Sequence, residues 1–353
     1  MNAMTKKTVR VLIVDDSALV RKILANGMAK DPDIEVVGQA SNPYMARDLM
    51  VELHPDVITL DVEMPRMDGV TFLKKFMAVM PTPTIIISSL TQQGKQITLD
   101  ALEAGAVDII AKPTVGLVDG LPLLVDDINQ RIKAAAGVNV AKLRHNTSVV
   151  VDAPTALHET TDRLIVMGSS TGGVEALSRI IPAFPSDNVG IVIVQHMPAG
   201  FTATFAERLN SSSKMRVKEA EDGDRVMQGL VLLAPGGMLH TTVVRSGGQY
   251  RISLQAGDEV NYSRPAVDVL FFSAAKAAGR NVAAAILTGM GRDGAAGLKA
   301  IQLAGGKTIA QDEATSIVFG MPQMAISLDA ADKIAPLEKI PSLLISAFSN
   351  NVA

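Results

Sequence analysis

The sequence predicts an α/β protein made of two doubly wound parallel-sheet domains. Short apolar runs rich in β-branched residues alternate with helical-period stretches along most of the chain. Each run stops at a polar residue or a Gly-rich turn, as a buried parallel strand does before its crossover helix. At 353 residues the chain is also long for one domain. Hydrophobic residues are 48% and charged ones 20%, enough to bury large cores. A net charge of -3 without any basic block disfavours nucleic acid as a partner. With no cysteine there are no disulfides or thiolate metal sites, which fits a reducing compartment. Aromatic residues are only 3%, so stacking platforms for bases or sugars find no support. The first apolar run ends at Val14 before Asp15 and Asp16, too short for a signal peptide or a membrane span. The expectation is a cytoplasmic protein with no direct membrane insertion.

The first third alternates regularly. Val9–Val14 is a strand ending in Asp15-Asp16-Ser17, followed by a helix through Val20, Ile23, Leu24 and Met28. Ile34–Gly38 is a second strand, and Asn42 starts a helix through Met45, Leu49 and Met50. Val57–Leu60 stops at Asp61, and Asp68-Gly69 opens a helix through Phe72, Leu73 and Phe76. Ile85–Ile87 ends in Ser88-Ser89, the stretch from Gly94 to Ala104 is helical, and Asp108–Ala111 ends in Lys112-Pro113. Five such strands form a doubly wound sheet, which binds ligands at the carboxyl ends of its strands. Those ends carry Asp15, Asp16, Asp61, Ser88 and Lys112. A single strand-end aspartate usually caps the next helix, but three gathered at one edge repel each other unless a cation sits among them. Oxygen-only ligands suit Mg²⁺. A carboxylate beside Mg²⁺ and a lysine can attack a phosphoryl group.

With Met64-Pro65 and Asp68-Gly69 behind Asp61, this block resembles the receiver domain of two-component response regulators. The resemblance implies a flavodoxin-like fold with Asp61 as phosphoacceptor. It implies Asp15, Asp16 and Asp61 as Mg²⁺ ligands, joined by the carbonyl of Glu63, and Ser88 and Lys112 as readers of the phosphoryl group. Ile109 stands where the family often has an aromatic residue.

The domain expected over 8–133 is followed by a linker over 134–162, rich in Ala, Gly, Asn, Thr, Ser, Asp and Pro, and by a second domain over 163–350. That domain opens with the strand Leu164–Met167 and the turn Gly168-Ser169-Ser170-Thr171-Gly172-Gly173. Val174, Leu177, Ile180 and Ile181 then recur at helical spacing. Val189–Val194 ends in Gln195-His196, and Phe201, Phe205 and Leu209 share a helix face. Val217–Ala220 is a short strand. Val231–Ala234, Met238–Val244 and Tyr250–Leu254 read as antiparallel hairpins inserted into the alternation. A helix after Pro265, the strand Val282–Leu287, a helix through Leu298 and Ile301, the strand Lys307–Ala310 and helices from Met321 and Leu337 complete a Rossmann-like sheet.

Ser170, His196 and Asp293 fall just past the carboxyl ends of three strands of that sheet. A hydroxyl at such a bend, near a helix N-terminus, suits a nucleophile. An imidazole can take its proton, and a carboxylate can orient the imidazole. The residues alone leave other readings open. Ser170 can be a helix cap, His196 a core histidine, Asp293 a turn former with Asp312 as its rival, and Ser169 competes with Ser170. His240 reads as structural. The chain order Ser…His…Asp and the missing Gly-x-Ser-x-Gly elbow exclude the α/β-hydrolase pattern, and Gly168-x-x-x-Gly172-Gly173 is not the dinucleotide fingerprint.

Six segments decide between them: the Gly168–Gly173 turn, Gln195–Phe201, Glu219–Gly223, Leu233–Gly237, Arg264–Phe271 and Leu287–Gly294. Together they resemble the catalytic domain of the chemotaxis response-regulator methylesterases, and with the receiver the likeness covers nearly the whole chain. The resemblance implies Ser170 as nucleophile, His196 as base, Asp293 as orienting acid, and the backbone N–H groups of Met290 and Thr171 as oxyanion donors. It implies hydrolysis of γ-glutamyl methyl esters on chemoreceptors, deamidation of particular receptor glutamines, and a chemotaxis histidine kinase as phosphodonor. Mg²⁺ is implied for the receiver and no cofactor for the ester reaction. A non-catalytic binding module controlled by the receiver is the alternative from another class; a transcription factor and a nucleotide-dependent oxidoreductase are opposed by the residues above. Joining the domains predicts a receiver that blocks the catalytic edge from a bulky protein substrate until Asp61 is phosphorylated.

Overall fold

A computed structural model of the chain describes residues 8–65, 67–89, 91–113, 121, 124–138, 140 and 162–348. The chain divides into two compact units, Met1–His145 and Asn146–Ala353. Most of the expected linker, with His145 and His158, lies outside the described residues.

In the first unit, β1 (Val9–Val14), β2 (Ile34–Ala40), β3 (Val57–Leu60), β4 (Thr84–Ser88) and β5 (Asp108–Ala111) form one parallel sheet in the order β2-β1-β3-β4-β5. Helices α1 (Ala18–Met28), α2 (Pro43–Leu53), α3 (Gly69–Val79) and α4 (Gln92–Glu103) are the crossovers, and α5 (Val125–Ala136) closes the unit. Side chains start them: Ser17, Asn42, Asp68 and Thr91 each accept a backbone N–H of the helix they precede. The order in which strands are added reverses between β1 and β3, parallel neighbours in which Val14 pairs with Leu60. Asp15 and Asp61 therefore leave the sheet side by side, at the switch point where such folds bind ligands.

In the second unit, β6 (Leu164–Ser169), β7 (Ile191–Gln195), β8 (Arg216–Glu219), β9 (Leu230–Leu233), β12 (Val282–Ile286), β13 (Lys307–Gln311) and β14 (Lys333–Ala335) form a parallel sheet ordered β14-β13-β12-β6-β7-β9-β8. Helices α6 (Gly173–Ile180), α7 (Phe201–Ser212), α8 (Val267–Ala278), α9 (Ala295–Leu303), α10 (Met321–Ser327) and α11 (Ile340–Ser346) cover it. The antiparallel insertion is one hairpin, β10 (Leu239–Ser246) with β11 (Gln249–Ala256). This corrects the expectation for Val231–Ala234. That run is not part of a hairpin but supplies β9, parallel to both β7 and β8. Val231, Leu232, Leu233 and Ala234 are all fully buried, which suits an interior parallel strand covered on both faces. The edge strand β14 spans three residues, two of them exposed, and carries no readable apolar period. Among the described residues no helix is long and apolar enough to cross a membrane.

The sheet order puts β6 between β12 and β7. The loops after these three strands meet at one edge, and they carry Ser170, His196 and the segment from Thr288 to Asp293.

Candidate active site

Ser170 is the first residue past β6, and its backbone is held on three sides. Its N–H donates to the Thr288 carbonyl (3.0 Å), and its own carbonyl accepts from Gly173 N–H (2.7 Å) and from Gln195 Nε2 (2.9 Å). Gly172 turns the chain into α6 at φ +79°, a conformation open to glycine. The two adjacent serines have different surroundings. Ser169, fully buried, donates its hydroxyl to Gln195 Oε1 at 2.6 Å. The Ser170 hydroxyl makes no hydrogen bond among the described residues. Gln195 thus binds one serine by its side chain and the other by its backbone.

Ser169 and Gln195 are paired across β6 and β7, so Ser170 and His196 emerge at the same level. His196 Nε2 meets Asp293 Oδ2 at 2.8 Å, with both side chains largely buried. Asp293 collects donors on both oxygens. Oδ2 also accepts Val267 N–H (2.6 Å), and Oδ1 accepts Asp268 N–H (3.0 Å) and Asn261 Nδ2 (3.2 Å). Burial pushes the Asp293 carboxyl up, but the His196 hydrogen bond and charge and the two N–H groups at the start of α8 outweigh it and hold it below the usual carboxylate range. Neighbouring Asp268 moves the other way: burial and the Asp293 charge raise it against the Gly297 N–H. Two carboxyls separated in this way leave the one on the imidazole ionised.

With Nε2 committed to Asp293, Nδ1 is the nitrogen left to receive a proton. In the serine-protease template the two ring nitrogens have the opposite assignments. Nδ1 faces Ser263 Oγ at 3.4 Å. Ser170 and His196 make no hydrogen bond to one another among the described residues; such contacts commonly tighten only when substrate is bound. Asp312 is placed elsewhere, its carboxylate accepting from the N–H and hydroxyl of Thr315. His240 is buried between Asp258 O and Ala266 N–H, a packing role.

The loop after β12 comes close to Ser170. Thr288 is fixed by Gln311, which accepts its N–H at 2.8 Å, and donates its hydroxyl to the Thr171 carbonyl at 3.0 Å. The Gly289 carbonyl accepts from Gly320 and Met321. The Met290 N–H donates to nothing among the described residues, so it remains available to an oxyanion. A Cβ on Gly289 would stand 2.8 Å from Ser170 Cβ and 2.3 Å from Met321 Sδ. Gly289→Ala is therefore expected to cost about 2 kcal/mol of stability, read from a denaturant midpoint. An unchanged midpoint would mean that the backbone does not run this close to Ser170.

Sequence alone assigns no role to Gln195, Asn261, Ser263, Thr288 or Gln311. Gln195 and Thr288 fall inside the segments that carry the family resemblance. Asn261 and Ser263 reach the site from a loop, with no periodic signal to reveal them.

The first unit has its own cluster. Asp15, Asp16 and Asp61 bring ligand oxygens within 4.8 Å of one another. Lys112 Nζ lies 2.6 Å from Asp61 Oδ2 and 2.9 Å from Asp15 Oδ2. One ammonium against three carboxylates leaves the pocket negative. Asp15 Oδ2 is buried without a well-directed hydrogen bond despite its contact with Lys112. A buried carboxylate oxygen held by an ion pair alone, in an all-oxygen set, fits a divalent cation. Burial raises Asp61 to about 6, against the pull of Lys112. Asp61 and Asp15 in turn raise Lys112 against its own burial. Ser88 is fully buried with its hydroxyl 3.4 Å from Ser89 O. The Glu63 carboxylate accepts from the hydroxyls of Ser89 (2.6 Å) and Thr91 (3.1 Å).

Comparison with known proteins agrees with both units. Residues 165–344 match the CheB methylesterase family, and residues 11–118 match the response regulator receiver domain. A protein-glutamate methylesterase/protein-glutamine glutaminase 2 of Cereibacter sphaeroides is 54% identical over 338 residues, 96% of this chain and 92% of that one. A protein-glutamate methylesterase/protein-glutamine glutaminase of Syntrophotalea carbinolica is 50% identical over 97% of this chain and 98% of its own. Among solved structures, the CheB methylesterase catalytic domain of Thermotoga maritima is 44% identical, with a TM-score of 0.52, and covers 53% of this chain and 99% of that one. The chain belongs to the CheB methylesterase family, in the form that carries a response-regulator receiver domain ahead of the esterase domain.

Proposed function

We propose that the chain is a phosphorylation-controlled esterase that hydrolyses γ-glutamyl methyl esters on chemoreceptors, releases methanol, and deamidates particular receptor glutamines. The observation that carries this reading is the His196–Asp293 pair on the loop next to that of Ser170, with the Ser170 hydroxyl and the Met290 N–H both without a hydrogen bond among the described residues. Ser170 Oγ attacks the γ-carbonyl carbon while His196 Nδ1 takes its proton, and the imidazolium is held through Nε2–H on Asp293. The oxyanion of the tetrahedral intermediate is met by the N–H of Met290 and that of Thr171. His196 returns the proton to the departing methoxide, so methanol leaves and a γ-glutamyl ester of Ser170 remains. A water deprotonated at Nδ1 then attacks, and collapse frees the glutamate and restores the Ser170 hydroxyl. An amide follows the same path with ammonia as leaving group. Apart from the attacking water, these steps use side chains and backbone N–H groups of this chain.

In the receiver, Asp15, Asp16, Asp61 and the Glu63 carbonyl would hold Mg²⁺, which when bound neutralises charge on the transferring phosphoryl oxygens. Asp61 is the acceptor, Lys112 already sits on its oxygen, and Ser88 lines the same strand edge. A chemotaxis histidine kinase is the phosphodonor, which places the protein in the cytoplasm. The test is methanol release from methylated receptor membranes, with and without a small-molecule phosphodonor. Release by the full chain, increased by the donor, supports the reading; no release from any methylated receptor overturns it. Asp61→Asn is expected to abolish the increase, and persistent stimulation in that variant would remove Asp61 as acceptor.

A further inference from the structure

Val260 to Ser263 is a two-residue hairpin turn, each end donating its N–H to the other's carbonyl at 3.1 and 3.0 Å. Its central residues, Asn261 and Tyr262, both have positive φ, +51° and +62°. This is the turn that favours Asn followed by Gly, because both positions are left-handed. Asn261 satisfies the rule and Tyr262 breaks it, at a cost in backbone strain. Packing returns nothing for the cost, since Tyr262 is 91% exposed.

The turn is not at a random place. Asn261 Nδ2 lies 3.2 Å from Asp293 Oδ1, and Ser263 Oγ lies 3.4 Å from His196 Nδ1, on either side of the tyrosine. Arg264 then ties the segment after the turn to the carbonyls of Gly257 (2.6 Å) and Gly237 (3.3 Å). Beside its guanidinium, 3.6 Å away, is the sulfur of Met238, itself 72% exposed. A strained aromatic ring is thus held in water by a turn whose other residues touch the proton-accepting nitrogen and the orienting acid.

We infer that Tyr262 is a specificity-determining residue: it packs against apolar side chains of the receptor polypeptide that flank the ester, and it recognises the polypeptide rather than the ester. The inference rests on the methylesterase reading and deepens it. A rigid ring presented beside the base binds a helix face at low entropic cost, and strain at a site is tolerated where function uses the side chain.

The experiment compares Tyr262→Gly and Tyr262→Phe in the full chain on two substrates, methylated receptor in membranes and a small soluble γ-methyl ester of a blocked glutamate. For Tyr262→Gly the ratio of receptor to small-ester kcat/KM is expected to fall about tenfold, mainly through KM, with the phenylalanine variant recovering most of it. Glycine relieves the strained φ, so its melting temperature is expected to equal or exceed that of the parent, which separates lost recognition from lost fold. An unchanged ratio, or equal loss on both substrates, overturns the inference. If the parent chain releases methanol from neither substrate, the methylesterase reading fails and takes the inference with it.

Discussion

Ser170→Ala is expected to lower methanol release from methylated receptor by about 10⁵-fold or more, with the melting temperature within about 2 °C of the parent. The two halves of this result have separate causes. The Ser170 hydroxyl makes no hydrogen bond among the described residues, and the three bonds that hold this position are all to backbone atoms, which alanine retains. Removing the oxygen therefore leaves no buried partner unsatisfied. Catalysis, in contrast, loses the atom that forms the acyl intermediate, and the imidazole and oxyanion donors have nothing left to activate. Ser169→Ala is the matched control. It deletes the 2.6 Å bond to Gln195 Oε1 and should cost stability, about 1 kcal/mol. A receptor-binding module without chemistry predicts the reverse pattern, no change in signalling output with Ser170→Ala. Methanol release surviving that substitution would transfer the role of nucleophile elsewhere.

What could be read in advance followed from parallel-sheet logic. Each of Asp15, Asp61, Ser88, Lys112, Ser170 and His196 stands directly at or after the end of an apolar run, and in a parallel sheet all such ends face one edge. The cluster at the first edge and the neighbouring positions at the second follow from that alone. Three features did not follow. Val231–Ala234 is a run too short to distinguish a hairpin from an interior strand, and only its pairing with both β7 and β8 settles the matter. The assignment of the two His196 nitrogens depends on where Asp293 arrives relative to the ring, which is set by the N-terminus of α8 and not by any residue near His196. Asn261 and Ser263 reach Asp293 and His196 from a turn whose chemistry looks unfavourable, so local preference conceals them; consistency between local and global structure breaks where function intervenes.

Asp293→Asn is expected to lower kcat by about 10⁴-fold and stability by roughly 3 kcal/mol. Every close contact of this carboxylate is a donor: His196 Nε2 and Val267 N–H on one oxygen, Asp268 N–H and Asn261 Nδ2 on the other. An asparagine must direct its NH₂ at one of these pairs. Facing Asp268 and Asn261, it loses two hydrogen bonds and sets N–H against N–H in a buried place. Facing Val267 and His196, it can donate only if Nε2 gives up its hydrogen. That places the proton on Nδ1, the nitrogen needed to accept one from Ser170, so the tautomer is wrong for attack. Both orientations cost stability, and the second also removes the base. The pH dependence has a definite sign. The Asp293 carboxyl is held below its unfolded value, so its share of stability is complete above the ordinary carboxylate range and is lost as pH falls through the lower, folded value. The stability gap between parent and Asp293→Asn should therefore be full at neutral pH and narrow below about pH 4. Paired urea titrations at neutral and acid pH would measure it, and a gap that stays constant or widens on acidification would show that the ionised carboxylate is not what those four donors hold.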